Sequence, residues 1–110
     1  MEIFTSEKYC ILIPHLQKLD GYNSLKIYDE AMEHSQLSIG IDLSYVQDCT
    51  VDFIEMLKNL KTVNLFNIPS EIFALLNFMN LDKKFNLFAD EMDFKDNRHR
   101  ILNRSFKIVR

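Results

Sequence analysis

Along this chain, segments whose apolar residues recur at every second position alternate with segments whose apolar residues recur every three to four, and few folds accept that order. LSIGIDL, residues 37–43, places Leu37, Ile39, Ile41 and Leu43 on one side and Ser38, Gly40 and Asp42 on the other. That is a strand with one apolar face, and Gly40 leaves room for a helix backbone to come close. VDFIEMLKNL, residues 51–60, gathers Phe53, Ile54, Met56, Leu57 and Leu60 on a broad face opposite Asp52, Glu55, Lys58 and Asn59. That is an amphipathic helix.

The rest of the sequence continues the same order. YCILIPHL, residues 9–16, has four consecutive apolar residues before Pro14 and reads as a buried strand, with a short strand at residues 2–5 preceding it as a hairpin. A loop built on Asp20, Gly21 and Asn23 leads into a helix at 25–34 carried by Leu25, Tyr28, Ala31 and Met32. TVNLFNI, residues 62–68, is a further strand. Pro69 and Glu71 then open a helix whose stripe is Ile72, Leu75, Leu76 and Met79, and KFNLF, residues 84–88, is the last core strand. Strands alternating with helices of this length imply right-handed crossovers, so the expected fold is an α/β layered sandwich. It has a mostly parallel sheet of four to five strands, about three helices and an extra C-terminal strand.

The 110 residues, 47% hydrophobic and 26% charged, suit one domain that buries roughly two-thirds of the surface of the unfolded chain. No apolar run approaches the ~20 residues that span a bilayer, and MEIFTSEKYC lacks the features of a secretory signal. The expectation is a cytoplasmic protein without direct membrane insertion. Cys10 and Cys49 have no second thiol or histidine at ligand spacing and are expected to be reduced. Residues 1–94 carry 7 Lys/Arg against 15 Asp/Glu, whereas 95–110 carry 6 Lys/Arg against Asp96 alone. We therefore divide the chain into a folded domain, 1–94, and a basic extension, 95–110. Aromatics suited to base stacking are scarce in the extension, so no nucleic-acid partner is expected. The alternating RSFKIV, residues 105–109 with Arg104, is instead expected to fold back on the acidic body as a strand whose Lys107 blunts an edge.

HLQKLDGYNSLKIYDEAME (15–33), IGIDLSYVQDCTVDFIEML (39–57) and VNLFNIPSEIFALLNFMNLDKKFNLF (63–88) resemble successive blocks of the STAS domain, the family named for sulfate transporters and anti-sigma factor antagonists. Asp42-Leu43-Ser44 and Leu81-Asp82 to Phe85 are the most specific matches. The resemblance covers about residues 9–88. In the family's regulatory members, a serine of a DSSG motif at the start of the second helix accepts a phosphate from a partner kinase. Aligned without a gap from Asp42, Thr50 falls on the motif's aspartate and Val51 on the phosphorylated serine. Slipping the alignment by two residues puts Asp48 and Cys49 there instead. The ungapped alignment leaves Ile54 and Leu57 facing the core and is preferred.

Thr50 reads first as a helix N-cap and second, with Ser44, as a candidate phosphorylation site. Asp48, Asp52 and Glu55 lack the histidines or the Asp/Gly loop of a metal site, and helix spacing sends Asp52 and Glu55 to solvent. They read as partner contacts, as do Asp20, Tyr22, Asn23, Cys49, Thr50 and Val51. His15, His34 and His99 share no motif, and no Gly-rich phosphate loop exists. No catalytic residue, metal or cofactor is expected, so the chain reads as a non-enzymatic binding domain. The resemblance implies partner switching with an anti-sigma factor or a serine kinase, constitutive if Val51 replaces the acceptor. An accessory subunit of a lipid or anion transport ATPase is the alternative, and a homodimer paired through RSFKIV is a third reading. Phe73 and Phe78 lie off the stripe of the third long helix and would mark a docking patch if exposed.

Overall fold

The computed structural model describes residues 1–97. The expected strand in RSFKIV lies outside the described residues. Strands β1 (Glu2–Thr5), β2 (Tyr9–Ile13), β4 (Ser38–Asp42), β6 (Asn64–Phe66) and β7 (Asn86–Phe88) form one sheet in the order β1-β2-β4-β6-β7. The first pair is antiparallel, with Phe4 opposite Ile11, and the other pairs are parallel. Two further strands, β3 (Lys18–Leu19) and β5 (Asp48–Cys49), pair with each other alone. Helices α1 (Gly21–Glu33), α2 (Val51–Leu57), α3 (Ser70–Phe78) and α4 (Glu91–Asp96) complete the described chain. The mostly parallel, layered α/β architecture is the one the sequence pattern demands.

Both faces of the sheet are covered, which explains why β2 is a continuous apolar run rather than an alternating one. Cys10, Leu12, Ile41, Leu65 and Leu87 point into the main core, where they meet Ile27 and Ala31 of α1, Phe53, Ile54 and Leu57 of α2, and Ile72, Phe73 and Leu76 of α3. Ile11, Ile13, Phe66 and Phe88 point the other way and pack with Phe94 of α4. The Phe94 ring stacks on Phe66 at 5.6 Å and meets Phe88 and Tyr9 edge-on at 5.5 Å each. A Cβ on Gly40 would stand 2.7 Å from Phe94 Cε2. The glycine thus admits an aromatic ring, and the expected close helix backbone is replaced by a side chain from α4.

That fourth helix is absent from the sequence reading. It has six residues and one buried anchor, Phe94, too few for a stripe to register. It also runs across the expected boundary between residues 94 and 95. Among the off-stripe aromatics of α3, Phe73 joins the core at 6% exposure while Phe78 stands 86% exposed at the helix end.

Candidate functional site

The C-terminal ends of parallel β2 and β4 release two loops, and the small β3–β5 ladder ties them together. Lys18 pairs with Asp48 and Leu19 with Cys49. The backbone N–H groups of Gln47 and Asp48 both donate to the Gln17 carbonyl, at 2.7 and 3.2 Å, and the Thr50 N–H donates to the Leu19 carbonyl at 2.8 Å. The residues directly after the two strands, Asp20 and Thr50, are the cap positions of α1 and α2. Consequently the two helices begin side by side, close enough that a Cβ on Gly21 would lie 3.2 Å from Asp52 Oδ2. Gly21 is the residue that lets α2 come this near.

The start of α1 is capped by side chains. Asp20 Oδ1 accepts from the backbone N–H of Tyr22 and of Asn23, both at 3.0 Å, and Asn23 Oδ1 accepts from the Asp20 N–H at 2.8 Å. This is a reciprocal capping box, closed here by Asn rather than Glu or Gln. It leaves Tyr22 projecting into solvent at 87% exposure, with Leu25 on the next turn also exposed.

The start of α2 is different. Thr50 occupies the cap position in extended backbone, yet its side chain makes no cap hydrogen bond. Its Oγ1 is buried and has no hydrogen-bond partner. The expected threonine cap is therefore corrected: Thr50, directly after β5, keeps its hydroxyl buried and does not use it to cap the first turn. Val51, the first helical residue, is 52% exposed, whereas Ile54 and Leu57 are fully buried.

The carboxylates surround this edge. Asp48, Asp52 and Glu55 are all exposed, and Glu55 Oε2 lies 3.4 Å from Lys58 Nζ. Asp52, in the first turn of α2, complements the positive end of the helix. Burial first, and the Asp48 charge second, push the Cys49 thiol up to about 11, so the half-buried sulfur stays protonated at neutral pH. No group of three or more His, Cys, Asp or Glu residues that could hold a metal occurs among the described residues. A shallow groove between α1 and α2 runs past Leu25, Tyr28, Asp52, Glu55 and Met56.

Two features of this end escape sequence reading. His15 and Tyr45, one from each loop, stack at 4.1 Å, and His15 Nε2 contacts Glu2 Oε1. Nothing in their spacing announces this, since only the parallel pairing of β2 and β4 makes them neighbours. Asp42 is the second: its Oδ1 accepts from the Ser44 N–H at 3.0 Å and from Asn67 Nδ2 at 2.9 Å. The Asp42-Leu43-Ser44 motif thus builds an Asx turn and clamps it to the end of β6, where Asn67 takes a left-handed φ of 54°. Ser44 itself is exposed.

Comparison with known proteins places this architecture. No protein-family profile matches the sequence, and no curated protein matches it. Among solved structures, the chain is similar to the crystal structure of a Thermotoga maritima protein described as a candidate anti-sigma factor antagonist. The TM-score is 0.70 at 16% identity, over 87% of this chain and 92% of that one. The fold is STAS-like. Among the described residues no helix is long and apolar enough to cross a membrane.

Proposed function

We propose that the protein is a regulatory binding domain that engages a protein partner through the paired starts of α1 and α2. The partner is of the anti-sigma factor or serine-kinase type, contacting Asp20, Tyr22, Asn23, Asp48, Cys49, Thr50, Val51, Asp52 and Glu55. The observation that carries this reading is an exposed Val51 as the first residue of α2, on a helix start that comes against Gly21 of α1, where the following Tyr22 is almost wholly solvated. Exposed apolar and aromatic side chains among the exposed carboxylates Asp48, Asp52 and Glu55 have the composition of a contact patch. Valine accepts no phosphate, and the neighbouring Asp48 and Asp52 hold the patch at a fixed charge. Binding is accordingly constitutive, without the release step that phosphorylation gives the family's regulators.

Affinity capture with the full chain from its native cell, alongside a Val51→Asp bait, tests this. The expected result is recovery of a kinase-like or sigma-pathway protein by the natural sequence and its loss with the variant. Recovery of an ATPase with a membrane component would replace this reading by the transport-subunit one. Mass spectrometry of the native protein showing phosphate on Thr50 or Ser44 would overturn constitutive binding.

A further inference from the structure

Helix α1 has apolar residues on two faces, and the core takes only one of them. Ile27 and Ala31, with Ser24, are buried against the rest of the fold. Leu25, Tyr28 and Met32 recur at i, i+3 and i+7 and so share a second face. Half-buried Tyr28 packs against the core, but Leu25 is 61% and Met32 50% exposed. The stripe that periodicity assigns to the core thus turns largely to solvent. It borders a trough. Between the first halves of α1 and α2 lies a hollow of about 350 Å³, lined by Leu25, Tyr28 and the buried Met56 and edged by Asp52 and Glu55. Toward the other end of α1, a second hollow of about 190 Å³ takes in Ala31, Met32, Leu37, Ile39 and Leu60. The stripe joins the two along most of the 13 residues of α1, a length of about 20 Å.

The rim of this trough is acidic. Asp52 and Glu55 are exposed on α2, and Asp29 and Glu33, each one position beyond a stripe residue, are exposed on α1. Residues 20–33 and 48–61 hold seven Asp/Glu against three Lys, and one of those lysines, Lys58, is already paired with Glu55. Resting on the binding role given to the two helix starts, we propose that the trough receives an amphipathic helix of the protein partner. Its apolar edge lies on Leu25, Tyr28 and Met32, and its flanks carry Lys or Arg toward Asp29, Glu33, Asp52 and Glu55. A helix matches because the walls are themselves helices, which offer side-chain ridges and grooves but no free strand edge for an extended peptide. The sign of the charge selects the partner class: an anionic lipid surface or a nucleic-acid backbone is repelled by this rim, and a basic helix is drawn to it.

A synthetic peptide about 14 residues long, the length of α1, tests this without the natural partner. Its leucines repeat at i, i+3, i+4 and i+7 and its other positions are lysine; a second peptide has the same composition in scrambled order. Titration into the full chain is followed by backbone amide shifts and by calorimetry. Saturable binding of the patterned peptide, with shifts confined to α1, α2 and the residues lining the two hollows, is expected. It should weaken by about tenfold in a Leu25→Ser, Met32→Ser chain and also in an Asp52→Asn, Glu55→Gln chain. All four positions are exposed, so the unfolding midpoints should stay near that of the natural chain. Equal binding of the scrambled peptide, shifts centred elsewhere, or no binding overturns the proposal. The partner recovered from the native cell separates this from the reading on which it rests. Loss of that partner with Leu25→Ser, Met32→Ser as well as with Val51→Asp supports both. Loss with Val51→Asp alone keeps the helix tips and overturns the trough, whereas loss with the trough variant alone keeps the trough and overturns the tips.

Discussion

The starts of α1 and α2 lie side by side on one two-residue ladder and are built on opposite principles. At α1 the cap is reciprocally bonded through Asp20 and Asn23. At α2 the cap side chain contributes nothing, and a buried hydroxyl goes unpartnered. A helix start that is stabilised locally needs little from the core, whereas α2 is held by four buried side chains within its seven residues: Phe53, Ile54, Met56 and Leu57. Packing anchors α2 from within and leaves its outer tip, Val51, unconstrained by any structural task. The difference separates a tip that serves the fold from one that is free to serve a partner.

The strongest challenge to this contrast is Phe53→Ala. Phe53 is fully buried, and truncation should cost about 3–5 kcal/mol. Urea denaturation measures it. A loss below about 1 kcal/mol would mean that α2 is not held by its core face. Next in size is Asp20→Ala, which removes the acceptor of two backbone N–H groups and opens the capping box. The expected loss is about 1–2 kcal/mol. An unchanged midpoint would erase the distinction between the two helix starts.

The strands and long helices were legible in the sequence because their periodicity extends over five residues or more, but the start of α1 was not: Gly21 and Asn23, expected in a loop before a helix at 25, form its first turn, closed by the Asp20 capping box. The β3–β5 ladder was not legible either. Two-residue strands such as Lys18–Leu19 and Asp48–Cys49 carry no alternation, and their pairing depends on where β2 and β4 deliver the loops. Cap geometry at Thr50 was misread for a related reason. A threonine before an amphipathic run has the composition of an N-cap, but its N–H is claimed by Leu19 and its side chain faces inward, both consequences of the ladder. The fourth helix failed on length alone, and the role of Gly40 was misassigned with it, since the ring that fills its face comes from Phe94.

Thr50→Val sharpens the comparison from the other side. The substitution keeps the β-branched shape and removes a hydroxyl that is buried without a partner. Leaving such a group unsatisfied costs about 1–3 kcal/mol, so the variant should gain on the order of 1 kcal/mol in urea denaturation. The sign matters more than the size. A loss would show that the hydroxyl is bonded in solution, and α2 would then be capped much as α1 is.

The smallest effect on stability belongs to Val51→Asp. A carboxylate at the first helical position interacts favourably with the positive end of α2, by about 0.3–1 kcal/mol at an exposed site. Asp48 and Asp52 already stand there and repel it, which offsets most of that gain. Because Val51 is half exposed and outside the core cluster, no packing is lost, and the net change should stay within about 0.5 kcal/mol. The same substitution puts a fixed charge where a partner would find a methyl surface, so binding should fall at least tenfold by isothermal titration against the captured partner, about 1.4 kcal/mol. A variant that folds as the natural chain does and binds equally well would place the contact elsewhere. One that unfolds would show that the tip of α2 does serve the fold after all, and the contrast with α1 would fail at the residue on which the proposed function depends.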